Sequence, residues 1–307
     1  MIRRGRRQHD LDLRDIVGGN VATYTKNSRT SKEIPVSTRD ATPSGARAGP
    51  AVGGDAVIVP IPTQPKYGKT DVEPDDVSAA ATSVASLQLD AVRNDPEVQA
   101  FIHQANANLG VLGFTEHGLR HVGLVANIAR NVMRLLDYDE RHQELAAIAG
   151  YLHDIGNVVS RHGHATTSAV LACPILTRLG MRPEDIAVVL SAIGSHGDDQ
   201  HRLGEPVHPI SAALILADKS DVHRSRVRNN DPASFDQHDR VNYASTSSFL
   251  WVDVGAMTIT LELTIDTTMA PVMQYFEIFL PRMLMSRQAA ELLGCTFHIT
   301  INEVVVL

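Results

Sequence analysis

Tyr151-Leu152-His153-Asp154-Ile155-Gly156-Asn157 closes an apolar run, Glu144-Leu145-Ala146-Ala147-Ile148-Ala149-Gly150, that reads as a buried helix. It delivers an imidazole and a carboxylate side by side and then stops at a glycine. Neighbouring residues on a helix diverge by about 100°, so His153 and Asp154 serve a common point only where other elements converge on it. The sequence supplies candidates: His121 on an earlier amphipathic run, His164 and His196 in two further helical patterns, and Asp218 inside Ala212-Ala213-Leu214-Ile215-Leu216-Ala217-Asp218-Lys219. An unpaired carboxylate in such a run is costly to bury. Imidazoles and carboxylates on several helices read as a metal site.

The order His121, His153-Asp154, Asp218, with further histidines between, resembles the HD-domain superfamily of metal-dependent phosphohydrolases over roughly residues 95–230. His121-Val122-Gly123-Leu124-Val125-Ala126-Asn127-Ile128-Ala129 is similar to the family's first-ligand helix, and Ala217-Asp218-Lys219-Ser220-Asp221 to its last. His164, with the run Ile175-Leu176-Thr177-Arg178-Leu179-Gly180 after it, matches the family's next histidine. The resemblance implies a mainly α protein, an HD-type helical bundle, with metal ligands His121, His153, Asp154, His164, His196 and Asp218. That is more than one tetrahedral ion needs, so two divalent ions bridged by Asp154 are expected; iron, manganese, cobalt or another divalent ion suits these ligands. The implied reaction is hydrolysis of a phosphomonoester or phosphodiester by metal-activated hydroxide. Its substrate is then a nucleotide or another small phosphorylated molecule, with Asp154 and Lys219 in the chemistry. Two alternatives stay open: a regulatory module that binds a nucleotide without turnover, and a di-iron oxygenase on the same fold.

Departures narrow the resemblance. HD-GYP cyclic-dinucleotide phosphodiesterases continue the His-Asp pair with Ile-Gly-Lys, where this chain has Asn157, and they carry a Gly-Tyr-Pro loop that is absent here. His117 and His121 are four apart, within about 40° on a helix expected over 116–136. Gly118 stands where a zinc-protease motif needs glutamate, so that reading is set aside; His117 is read either as a residue supporting the ligands or as substrate-facing. Arg224 and Arg228, also four apart on a helix expected to run from Pro209, are candidate phosphate anchors.

The 307 residues, 43% hydrophobic, support one substantial domain and a smaller one, and the formal charge of −7 argues against nucleic acid as a partner. Cys173 and Cys295 have no metal or redox spacing and read as reduced residues of a cytoplasmic protein. No stretch reaches the roughly 18 apolar residues of a membrane span. Homo-oligomers remain open.

Residues 1–75 are rich in Gly, Pro, Ser, Thr and charge, and are expected to be a disordered arm. Within it, Ala56-Val57-Ile58-Val59-Pro60 is an extended island and Met1-Ile2-Arg3-Arg4-Gly5-Arg6-Arg7 a solvated basic tail. Order is expected from Asp75-Asp76, which would cap a helix beginning at Val77. Residues 76–235 form the expected helical metal-binding domain. Asn94-Asp95-Pro96-Glu97 starts a helix ending at Gly110, further helices run to Asp154, Gly180 and Ser195, and 198–201 are loop. Residues 236–307 form a small α+β appendage. Phe249–Asp253 and Met257–Asp266 are strands, with Met257, Ile259, Leu261, Leu263 and Ile265 on one face. A helix over 272–293 then lies on one antiparallel sheet that two short strands complete. No ligating cluster occurs in this appendage, which is assigned to substrate shaping or assembly.

Overall fold

The computed structural model describes residues 87–199, 202–229 and 231–306. The arm, its extended island, the basic tail and the helix start at Asp75-Asp76 lie outside the described residues.

Helix α1 (Leu89–Arg93) leads into α2 (Pro96–Val111). Asp95 caps α2 by accepting from the amides of Glu97 and Val98, both at 3.1 Å, and its carboxylate also takes a two-pronged bond from Arg178 at 2.8 and 3.1 Å. Helix α2 does not stop at Gly110. It runs to Val111, because the residue in left-handed conformation is Gly113, φ +81°, behind which Phe114 N–H returns to Leu109 O at 2.9 Å.

Helices α3 (Leu119–Leu135) and α4 (Glu140–Leu152) form a tightly packed pair in which Gly150 is obligatory. A Cβ there would lie 2.8 Å from the Ala126 Cα. After α4 a 3-10 turn, Ile155–Val158, leads to α5 (His164–Arg178), which packs on α6 (Pro183–Gly194). The expected loop at 198–201 contains paired backbone instead: β1 (Asp198–Asp199) runs antiparallel to β2 (Arg202–Leu203).

Helix α7 (Pro209–Ser220) occupies the middle of the bundle, against α3, α4, α6 and the C-terminal helix, and every residue from Ile210 to Ala217 is buried. Such burial explains its lack of a polar face. It ends at Ser220 and not near Arg228. Arg224–Arg226 form a separate 3-10 turn, so Arg224 and Arg228 share no helical face.

Helix α8 (Gln237–Ala244) is not anticipated by the sequence reading. It is short and polar, and its start is marked only by Asp236, which accepts from Asp239 N–H at 2.7 Å. Strands β3 (Ser245–Asp253) and β4 (Thr258–Ile265) form a hairpin, followed by α9 (Val272–Leu292), β5 (Thr296–Ile301) and β6 (Val304–Val305) in sheet order β3-β4-β5-β6. The sheet is mixed, not antiparallel, since β5 runs parallel to β4. At 1.5 Å per residue, the 21 residues of α9 carry the chain back along the sheet, and a crossover of that kind makes the joined strands parallel. Met257 does not join the inward face of β4: it sits in the turn at φ 51° and is exposed, while Ile259, Leu261, Leu263 and Ile265 are buried.

One apolar core continues from Leu89 through the bundle to Ile301. Both cysteines are free thiols. No helix among the described residues is long and apolar enough to cross a membrane.

Replacing Asp95 with alanine is expected to cost about 1 kcal/mol for the lost cap, with little added for Arg178, which is half-exposed and keeps Glu97 at 2.7 Å; the cost is read as a lower denaturant midpoint at unchanged m-value. Arg178 holds the Asp95 carboxyl below its ordinary value of 3.8. The difference from wild type therefore stays full above that value and closes as pH falls through the lowered folded-state value.

Candidate metal centre

Five helices each bring polar side chains to one point inside the bundle. His121 comes from the first turn of α3, His153 caps α4, Asp154 follows it, His164 opens α5, His196 follows the end of α6, and Asp218 lies near the end of α7. His121, His153 and His196 have no solvent exposure at all, and His164 and Asp154 very little. The Nε2 atoms of His121 and His153 are 3.2 Å apart, and Asp218 Oδ1 lies 3.4 Å from the first and 3.5 Å from the second. Asp154 Oδ2 is 3.6 Å from His121 Nε2 and 3.3 Å from His153 Nε2, while its Oδ1 is 3.6 Å from His164 Nε2. The ring of His196 stands edge-on to those of His153 and His164, at centroid distances of 4.9 and 5.1 Å.

The second nitrogen of each ring explains why these atoms face one another. His121 Nδ1 bonds Asp221 Oδ2 at 2.7 Å, His153 Nδ1 the Gly150 carbonyl at 2.8 Å, His164 Nδ1 the Arg161 carbonyl at 3.1 Å and His196 Nδ1 the Ile193 carbonyl at 2.5 Å. A carbonyl or carboxylate acceptor requires the proton on Nδ1, so all four rings present the Nε2 lone pair inward. Four lone pairs and two carboxylates then face a buried space, and His196 Nε2 has no hydrogen-bond partner. Such an arrangement is repulsive by itself and fits a cation. With metal–ligand bonds near 2.1 Å, the edges of a tetrahedron are about 3.4 Å, the spacing found among His121, His153 and Asp218. Two overlapping trios bring their ligand atoms within 4.8 Å of one another: His121, His153 and Asp218, and His153, Asp154 and His196.

The protonation energetics agree. Burial works against a charged His153, yet the carboxylates of Asp154 and Asp218 outweigh it and raise its pKa to about 10, so that a proton on its Nε2 fills the place a metal cation would take. Burial, followed by the neighbouring cationic groups, keeps His196 well below the usual histidine value and His164 below it. Both are therefore neutral imidazoles, the form that binds metal.

The surrounding residues hold the donors in place. Asn157 Nδ2 donates to Asp154 Oδ1 at 2.8 Å and to the Asp154 carbonyl at 3.0 Å. Asp221, which accepts from His121, also takes Arg120 Nη2 at 2.8 Å and lies 3.6 Å from the fully buried Arg226. Gly156 is not merely where α4 stops. A Cβ on it would come within 2.3 Å of the His164 carbonyl and 2.4 Å of the Ser168 amide, so only glycine lets the start of α5 press against the residue pair after Asp154.

His117 lies before α3, outside the helix, because Gly118 is the N-cap. The i,i+4 argument therefore does not apply to it, but its ring still stands 5.3 Å from that of His121 and it lines the adjoining cleft. Lys219 Nζ pairs with Asp218 Oδ2 at 2.8 Å and is buried. Arg224 stacks over Tyr243 at 5.0 Å, and Arg228 bonds the Phe114 carbonyl and Asn106; neither lines the cleft, whereas Arg226 between them does. Sequence reasoning passed over Asp221 and Arg226 as functional residues. The signal for Asp221 was its place three residues after Asp218, within the stretch compared to the last-ligand helix.

Residues 118–223 match the family model described as HD domain. The matched stretch is consistent with an HD-domain superfamily protein. An uncharacterized protein of Methanocaldococcus jannaschii is similar, 28% identical over 163 residues that make up 47% of this chain and 63% of the relative. The match spans less than two thirds of that relative's length.

Gly156→Ala is expected to push α5 away from Asp154, costing about 1–3 kcal/mol as an overpacked site does and lowering metal content through His164. Thermal melting together with elemental analysis checks both effects.

Proposed function

We propose that this protein is a phosphohydrolase with two divalent ions bridged by Asp154, acting on a phosphomonoester or phosphodiester such as a nucleotide or a small phosphate ester. The observation that carries the reading is the split of the Asp154 carboxylate. Oδ2 faces His121 and His153, whereas Oδ1 faces His164, so one side chain serves donors on two sides. His121, His153 and Asp218 would hold one ion, and Asp154, His164 and His196 the other. When bound, divalent ions acidify water and neutralise charge on phosphoryl oxygens.

The chain's own residues divide the remaining work. Asp221 and the backbone acceptors keep the imidazoles in the tautomer that faces inward. Lys219 balances the charge of Asp218 and orients it. Asn157 fixes the rotation of Asp154, the task that sets the direction of both its oxygens. His117, held neutral mainly by burial, donates Nδ1–H to the Thr115 carbonyl and stands at the edge of the cleft, where its Nε2 can accept a hydrogen bond from a substrate hydroxyl. Arg161, 3.4 Å from His164 Nε2, brings a guanidinium to the same edge.

The test is elemental analysis of protein purified without chelators, followed by phosphate release from nucleotides and phosphate esters with each metal. Asp154→Ala should remove at least one ion and lower turnover by more than the roughly 100-fold that loss of a supporting residue costs. His196→Ala should weaken one site and recover in excess metal. Retention of both ions and near-normal phosphate release in Asp154→Ala would overturn the bridging assignment.

A further inference from the structure

A cleft of about 530 Å³ opens beside the metal centre, with His117 and His164 on its inner side. Its size is that of a site for a whole small molecule and far exceeds what one phosphoryl group fills. What the rest of the cleft accepts depends on its charge and on its apolar surface. Arg161, Arg226 and Arg282 line it, and so do the carboxylates of Asp236 and Asp239. Two of the three positive charges are thus matched within the lining itself, and a ligand with several negative charges gains little there.

The apolar surface is concentrated at one place. Leu112, Gly113, Phe114, Thr115 and His117 line the cleft as one stretch of chain, which runs from the end of α2 to the histidine 5.3 Å from His121. At the far end of that stretch Leu112 is 63% exposed and Phe114 40%, and Val111 just before them is 89% exposed. Asn108 Nδ2 donates to the Val158 carbonyl at 3.0 Å, which brings Val159, 67% exposed, beside the same helix end. A run of large apolar side chains left in water is what folded chains avoid unless it is used. The tip is also held in place. Gly113 takes the left-handed conformation, Phe114 N–H returns to the Leu109 carbonyl at 2.9 Å, and Arg228 Nε donates to the Phe114 carbonyl at 3.0 Å. The exposure of Leu112 and Phe114 is therefore built into the backbone. Ile278 and Phe279 on α9 add apolar surface to the same lining.

We propose that the substrate is a phosphate ester of an apolar alcohol, alkyl or aryl, whose carbon skeleton lies against Leu112 and Phe114 while its phosphoryl group is at the metal centre. The proposal rests on the phosphohydrolase reading for the position of the phosphate, but binding of an analogue that hydrolysis does not cleave tests it separately from turnover.

The experiment is calorimetric titration of the metal-loaded full chain with methyl-, propyl-, hexyl- and phenylphosphonate, whose carbon–phosphorus bond replaces the ester. Wild type should bind hexylphosphonate about tenfold or more tightly than methylphosphonate, the margin of roughly two buried methylene groups, with propylphosphonate between them. Leu112→Ser should reduce that ratio severalfold, adding Phe114→Ser should bring it near unity, and Leu112→Phe should keep it. Thermal melting confirms that the variants are folded, and the wild-type series stands without them. Equal affinity along the series, no binding by any member, or a ratio that survives in the double variant overturns the proposal. Self-association in sedimentation that Leu112→Ser abolishes, joined to a flat series, assigns the tip to a second copy of the chain and overturns it as well. A rising series without phosphate release from any ester would uphold the apolar site and refute the hydrolase. Release with a flat series would do the reverse.

Discussion

The structure depends on four imidazole protons pointing the wrong way for ordinary packing. In an apolar bundle, a histidine is most easily accommodated with both ring nitrogens bonded. Here each Nδ1–H is bound to the backbone or to Asp221, so each Nε2 is forced toward the others and toward Asp154 and Asp218. The repulsion this creates is tolerable only around positive charge. Three of the rings are fixed by backbone carbonyls, and two of these, His153 and His196, sit just past the C-terminal ends of α4 and α6, where carbonyls lack helical partners. His153 and His196 both use the carbonyl three residues earlier in this way.

Much of this was legible in the chain itself because burial rules are asymmetric. A histidine beside an aspartate at the end of an alanine-rich helix, or Asp218 directly after the apolar run Ala212–Ala217, has few explanations other than a partner. What failed to show was anything held by the backbone. That Gly113 and not Gly110 would terminate α2 depends on a single φ angle, and that α7 would end at Ser220 turns on the extended conformation adopted around Asp221 and His223. Once α7 is shortened, the helical spacing of Arg224 and Arg228 loses its meaning, and the guanidinium that reaches the cleft is the one between them. Helix α8 was illegible for a different reason: eight mostly polar residues carry almost no periodic signal, and tertiary packing decides their conformation. The hand of the sheet likewise could not be read from alternation, which reports a buried face and not the direction of the neighbouring strand.

The C-terminal segment changes meaning in the folded chain. Read as sequence it had no ligating cluster, and none of the six converging donors comes from it. Yet α8 and α9 form one wall of the cleft, with Asp239, Phe279 and Arg282 among its residues. The converging histidines and aspartates and the wall of the cleft thus come from different parts of the chain, a division that lets the two evolve under separate constraints.

The long crossover through α9 also sets an order of events during synthesis. Helix α7, apolar on all sides, leaves the ribosome some fifty residues before the helix that packs on it. Until α9 is made and folded back, one flank of α7 has nothing to rest against, and β4 lacks the parallel neighbour that arrives still later. The nascent chain therefore passes through a stage with a finished set of converging histidines and aspartates inside an unfinished hydrophobic shell, the stage at which aggregation competes with folding.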